Sequence, residues 1–305
     1  MEKFKKAGKI ASKVRKKAIK AVKGEMKILD LAEFIENEIE KMGAKPAFPC
    51  NISVNEITAH YSPPCNDDRK ILPGDLVKID IGVHVDGFIG DTATTVLVEG
   101  YEDLKNYNDE LAEKNKKMIE AAESALENAI NTIRDGVEIG KIGEVIENTI
   151  NKFGFKPISN LTGHSIDRWV LHSGLSIPNV KGQNSHKLRE GDVVAIEPFA
   201  TDGVGYVVDK PETYIFRFLR DRPVRDPYAL RVLRHVKKEY RTLPFAERWL
   251  EKKLGSKGLK HALKVLIRPR IIYPYHVLKE KSDSWVSQAE HTVLVEKDAC
   301  VVLTE

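Results

Sequence analysis

Hydrophobic positions divide the chain into stretches of two different periods. Over residues 2–23, Phe4, Ala7, Ala11, Val14, Ala18 and Ala21 recur every three or four positions, which predicts an amphipathic helix. The same spacing, through Met26, Leu29, Ile35, Ile39 and Met42, predicts a second helix over 25–42, stopped by Gly43. Further helices are predicted over 107–134 and 139–153, ending near Gly136 and Gly154. Between the two helical pairs, residues 74–98 are rich in valine, isoleucine and threonine, and Asp86-Gly87 interrupts them. That is the signal of two strands joined by a two-residue hairpin turn.

A two-residue loop at 86–87 fixes the register. Asp80 then faces Ala93, and Gly82 faces Asp91. Side chains alternate along a strand, so Asp80 and Asp91 share a face as diagonal neighbours about 7–8 Å apart at the backbone. Two carboxylates in such apolar strands repel unless a cation sits between them. A pair of divalent ions, typically about 3.5–4 Å apart, fits that gap. The plainer alternative is a solvated face carrying two unrelated acids.

A second stretch resembles the first. Leu188-Arg-Glu-Gly191-Asp192-Val-Val-Ala-Ile-Glu197 repeats the order of Leu72-Pro-Gly74-Asp75-Leu-Val-Lys-Ile-Asp80, with a carboxylate six positions after the glycine in each. This suggests an internal duplication in which each half offers an acid to a shared site. The second strand is expected over 187–200. Another, over 287–295, carries Glu290, which answers to Asp91 if the halves are duplicates. Eleven positions separate Asp80 from Asp91, but 93 separate Glu197 from Glu290. The excess marks an insertion, placed at 210–272, with helices expected over 228–240, 246–254 and 257–267 and an extended run at 271–275. The remainder, 1–209 and 273–305, is expected to be one interrupted domain.

Histidines lie between these elements. His60 sits in a proline-stiffened passage, 46–64, and His164 and His172 flank an apolar run beside Gly163 and Gly174. Together with the four acids, His164 completes a hard, oxygen-rich set with one imidazole, suited to Mn, Fe, Co or Zn. Such a pair of ions activates a water and polarises a carbonyl or phosphoryl oxygen. No glycine-rich loop followed by Lys-Ser/Thr is present to cradle phosphate, so amide hydrolysis is the better expectation. His60 and His172 are then available to hydrogen-bond a substrate or tetrahedral intermediate.

Composition narrows the setting. The 305 residues are 31% charged and 42% hydrophobic, as in an ordinary globular protein. Cys50, Cys65 and Cys300 are too scattered for a zinc site or disulfide scaffold and fit a reducing compartment. No apolar run reaches a membrane span and the first residues lack a secretory apolar core, so a cytoplasmic location is expected. A net charge of +4 does not by itself imply nucleic acid, but residues 2–23 hold ten of the basic side chains against Glu2 alone. The helix there has either a solvated basic face or a contact with ribosomal RNA or another polyanion.

The ordered motifs resemble the type 2 methionine aminopeptidases of the shorter, archaeal kind, across essentially the whole chain. The resemblance rests on Asn55-Glu-Ile-Thr-Ala-His60-Tyr, Lys78-Ile-Asp80-Ile-Gly82, Gly90-Asp91-Thr-Ala, Gly163-His164, Leu171-His172-Ser-Gly174, Ile196-Glu197-Pro-Phe and Gln288-Ala-Glu290-His. It implies an α/β (α+β) pita-bread fold, two pseudo-symmetric halves around a curved antiparallel sheet. It implies two divalent ions held by Asp80, Asp91, His164, Glu197 and Glu290, with Asp91 and Glu290 bridging and a hydroxide attacking the first peptide bond. Glu197 would help move the proton, and His60 and His172 would contact the scissile amide. Phe48, Pro49, Asn51, Ile52 and Tyr275 match positions near the methionine pocket. The implied substrates are peptides and nascent chains with an N-terminal methionine and a small second residue, and the implied state is a monomer. Two related readings differ. Proline-directed aminopeptidases and prolidases carry an extra N-terminal domain, whereas 73 residues precede Gly74 here. A non-catalytic proliferation-associated protein would lack ligands that this chain has.

Overall fold

The computed structural model describes residues 1–102, 109–182 and 184–305. In chain order they form α1 (Glu2–Ala21), α2 (Ile28–Lys41), β1 (Lys45–Pro46), β2 (Asn51–Val54), β3 (Ile57–Ala59), β4 (Leu76–Val85) and β5 (Phe88–Leu97). Next come α3 (Asp109–Thr132), α4 (Ile139–Lys152), β6 (Lys156–Pro157), β7 (Thr162–Ser165), β8 (Ser176–Pro178), β9 (Val193–Ile196) and β10 (Phe199–Thr201). The last stretch holds β11 (Val207–Phe218), α5 (Pro227–Glu239), β12 (Phe245–Ala246), α6 (Glu247–Leu254), α7 (Leu259–Ile267), β13 (Ile272–Glu280), β14 (Val286–Gln288), β15 (Glu290–Val295) and β16 (Cys300–Val302). The expected start of the third helix at Tyr107 lies outside the described residues. No described helix is long and apolar enough to cross a membrane.

The central hairpin has the predicted register. Asp80 faces Ala93 and Gly82 faces Asp91, and the chain turns at Asp86 and Gly87, both with positive φ. Two consecutive left-handed residues match the twist of the strands they join. The hairpin belongs to a nine-stranded antiparallel sheet in the order β1-β4-β5-β15-β9-β7-β8, with β2 on β4 and β16 on β15.

Alternation along these strands separates core from site. Val77, Ile79, Ile81 and Val83 of β4 turn to one side, where they join Val14 of α1 and Leu31 and Ile35 of α2 in one hydrophobic core. Val194 and Ile196 of β9 and Val293 and Val295 of β15 pack likewise with Met118 of α3 and Ile146 of α4 in a second core. Each half of the sheet therefore buries one face under a pair of helices, and the acids project from the other face.

Two expected strands are broken. The 187–200 stretch is β9 and β10, separated at Glu197-Pro198, because proline has no N–H for a continuous ladder. The 287–295 stretch divides at Ala289 into β14 and β15. Both breaks fall beside an acid, so β10 and β14 leave the main sheet and pair with each other and with β6 in a separate three-stranded sheet. The extended run at 271–275 is part of β13, which continues to Glu280 and pairs with β11.

Strands β12-β11-β13-β3 make a third sheet. Helices α5–α7 cover it with their own small core of Val232, Leu250 and Leu263 around Phe216 and Phe245. A buried ion pair ties these helices to the first half. Arg248 of α6 is 1% exposed and donates from Nη1 and Nη2 to Glu36 of α2 at 2.7 and 2.9 Å. Its Nε donates to the Pro63 carbonyl, and Trp249 and the Cys50 amide also donate to the same carboxylate. Burial alone would lower the guanidinium's pKa, but the Glu36 contacts reverse this and raise it. Removing one member leaves the other charged and buried. Arg248→Ala is expected to cost about 3–5 kcal/mol in denaturant unfolding, and replacing both Arg248 and Glu36 with apolar residues should cost less. A single-variant loss under about 1 kcal/mol, the range of an exposed pair, would show that the pair does not hold the two parts together.

Candidate metal centre

The acids converge because both hairpin-like pairs of strands meet at the centre of the sheet. β5 and β15 are neighbours, with Glu290 facing Ala93 and His291 facing Thr92. Threonine hydroxyls fix the two inner acids across this seam. Thr292 Oγ1 bonds both the amide and the carbonyl of Asp91 at 2.8 Å, and Thr92 Oγ1 donates to the Glu290 carbonyl at 2.8 Å. On the outer strands, β4 carries Asp80, and Glu197 directly follows β9. The second pair is not offset like the first: β9 ends at Ile196 opposite His291, so Glu197 lies just past that pair and Glu290 just before it.

His164 reaches the acids from β7, beside β9. Gly163 permits this approach, since a Cβ there would lie 2.3 Å from the Ala195 carbonyl oxygen. His164 Nε2 is 3.5 Å from Asp91 Oδ2 and 3.9 Å from Glu197 Oε1. Single ligand atoms from Asp91, His164 and Glu290 all fall within 4.8 Å of one another.

These five residues line one cavity of about 350 Å³, together with His60, His172, Phe48, Asn51 and Tyr275. Four carboxyl groups share that space, and among the described residues no lysine or arginine lines it. Burial pushes all four carboxyl groups up, and their mutual repulsion raises Asp91, Glu197 and Glu290 further. Among the described residues Asp80 Oδ1 and Asp91 Oδ1 are buried without a hydrogen-bond partner. Oxygens left unpaired beside other carboxylates are the donor set a hard divalent cation completes.

Three imidazoles stand along one wall. The His172 ring is 4.4 Å from that of His164 and 6.4 Å from Tyr275, and His60 is 5.3 Å from Tyr275. Burial lowers the pKa of each, His164 to about 4 and His172 to about 2, the latter also through neighbouring positive charge. All three are therefore neutral near pH 7. His60 has left-handed backbone, φ 63°, and its Nδ1 lies 3.1 Å from the His276 carbonyl. A carbonyl only accepts, so the proton sits on Nδ1 and Nε2 is left as a free base.

The pocket positions divide. Phe48 packs against Gly82, where a Cβ would meet its ring at 2.2 Å, so the residue opposite Asp91 must be small. Ile52 does not line the cavity: alternation along β2 turns it the other way, into the core with Ile35 and Ile79. Pro49 is also off the wall and acts through its carbonyl, which accepts from the Asn51 side chain. Ile215 and Pro244 join the wall from the region of the third sheet, and nothing in their local sequence marks them.

Residues 2–232 match the model of metallopeptidase family M24. The chain belongs to that family. It is a peptidase that binds divalent metal. A methionine aminopeptidase of Methanothermobacter thermautotrophicus is 56% identical over 305 residues, covering 100% of this chain and 99% of its own. One from Pyrococcus abyssi is 49% identical over 306 residues, covering 100% and 99%. A solved methionine aminopeptidase from Thermotoga maritima superimposes with a TM-score of 0.71 at 22% identity, covering 100% and 96%, and shares the pita-bread fold.

Proposed function

We propose that this M24 peptidase removes the first methionine from peptides and nascent proteins with a small second residue, using two divalent ions held by Asp80, Asp91, His164, Glu197 and Glu290. The observation that carries the reading is one cavity in which four buried carboxyl groups and the His164 imidazole face each other, with no lysine or arginine in its lining among the described residues. Full-length identity to methionine aminopeptidases supports the substrate. Bound there, the ions supply an activated water and polarise the carbonyl under attack. Mn, Fe, Co and Zn all suit the donor set.

The chain's own residues divide the remaining work. Asp91 and Glu290, from the neighbouring strands β5 and β15, and Asp80 and Glu197, from the strands outside them, would hold the ions together with His164. Glu197, partly open to the cavity, is placed to take and return a proton. His60 and His172, neutral and on the same wall as Tyr275, hydrogen-bond the scissile amide and the oxygen that gains charge. Residues 210–272 act as an inserted unit whose Ile215 and Pro244 help close the pocket.

The basic helix supports a ribosome contact. Arg15 is turned inward to Thr92 and His291, and Lys3 and Lys17 pair with Asp86 and Glu38. Lys6, Lys9, Lys13, Lys16 and Lys20 are exposed, with no ion pair among the described residues. Lys9→Glu with Lys13→Glu should release the protein from ribosomes in low-salt sedimentation. Unchanged sedimentation would leave only a solvated face.

The substrate reading is tested with Met-Xaa-Ser peptides and Mn(II) or Co(II). Small Xaa (Gly, Ala, Ser, Thr, Val, Pro, Cys) should be cleaved, and Lys, Glu and Trp rejected. Norleucine should replace methionine with little loss, because a methylene-scale change in an apolar pocket is worth only about 1–3 kcal/mol. Acetylated peptides should not react. Efficient cleavage of Met-Lys-Ser, or preference for Ala-Pro-Ser over Met-Ala-Ser, would contradict the reading and favour a broader or proline-directed peptidase.

A further inference from the structure

We infer that the side-chain oxygen of Asn51 accepts a hydrogen bond from the free α-amino group of the substrate, which rests on the reading above that the cavity takes an N-terminal methionine.

Asn51 stands on β2 directly across from Asp80 on β4. Residues opposed in this way leave the sheet on the same side, with Cβ atoms about 4.5–5.5 Å apart. Both line the cavity, although Asn51 is only 4% exposed. The amide is oriented by its own backbone: Nδ2 donates to the Pro49 carbonyl at 3.0 Å. A carbonyl cannot donate, so the nitrogen end is fixed there and Oδ1 is the end left over. Among the described residues Oδ1 is buried and has no hydrogen-bond partner.

Two other acceptors at this cavity are in the same condition, Asp80 Oδ1 and Asp91 Oδ1. Both are carboxyl oxygens of the cation-binding set. The amide oxygen of Asn51 is uncharged and lies beside that set, next to Asp80. A buried acceptor is ordinarily satisfied, so one kept open in a substrate cavity points to a donor that arrives with the substrate. A peptide with a free N-terminus brings α-amino N–H donors in addition to its backbone amide N–H groups. Its methionine side chain brings none, so the Asn51 oxygen has no use in holding the thioether. Asn51 is in this view a residue that reads the N-terminus.

The test compares two ligands by calorimetry on the metal-loaded protein: L-methionine, and 4-(methylthio)butanoate, which is methionine without its amino group. Wild type should prefer L-methionine. Asn51→Ala should weaken L-methionine about tenfold and leave the des-amino ligand unchanged. Asn51→Asp, which keeps an acceptor at the same place, should keep the preference. Metal content and thermal unfolding of the variants serve as the check that the site is intact. If Asn51→Ala weakens both ligands equally, Asn51 only supports the wall, and if it weakens neither, the amine lies elsewhere; either result overturns the inference. Wild type failing to bind L-methionine would overturn the substrate reading itself, and needs no variant to be seen.

Discussion

Four carboxyl groups are forced into one low-dielectric cavity by the strands that carry them, and the rest of the molecule is arranged around that constraint. Like charges at such distances cannot all remain ionised unless a cation joins them. Cations nearby are engaged elsewhere or act only from outside the lining: Arg15 contacts Thr92 and His291, Lys78, buried on β4, donates to the Asn55 and Val286 carbonyls, and Arg217 lies close enough for its charge to act on His172 and Tyr275 without lining the cavity. Neutral imidazoles and the amides of Asn51 and Asn160 also line it. A site with so many carboxyl groups and, among the described residues, no lysine or arginine in its lining suits a divalent metal, and the chain belongs to a metallopeptidase family.

Rigid scaffolding holds this charge in place. The acids lie at the middle of a nine-stranded sheet with a helix pair packed behind each half. Threonine hydroxyls lock the seam between the halves, and strand breaks at Glu197-Pro198 and Ala289 release the chain into a second sheet next to the site. The Arg248–Glu36 pair reaches the same region from outside. It fixes Pro63 and Cys50, which follow His60 and precede Asn51 closely in sequence. Packing, polar locks and site are thus one continuous structure, and functional groups sit on strands or at their ends, where a misplacement of about 1 Å is resisted.

The central hairpin was legible because two simple rules apply to it: a two-residue turn sets the register, and a period of two sets the face. Asp80 and Asp91 follow from those rules alone. The match between the Gly74 and Gly191 stretches led to Glu197, but it missed the break at Pro198, although proline was the visible signal for it. The different offset of the second acid pair was hidden for the same reason, since register depends on where a strand ends. Long-range partners were not legible. Glu36 and Arg248 are 212 positions apart and each reads locally as an ordinary surface charge on an amphipathic helix. Asn51 lies in a proline-rich passage that reads as loop, and only its pairing with β4 reveals that it faces Asp80. Ile52, placed by resemblance near the pocket, points to the core because its neighbour does not.

The most direct test of the metal centre is anomalous X-ray scattering from crystals of the Mn(II)-loaded protein. Two peaks are expected in the cavity, about 3.5–4 Å apart, bounded by Asp80, Asp91, His164, Glu197 and Glu290. A cavity without anomalous density while manganese binds elsewhere would contradict the assignment of these five residues as the ligands.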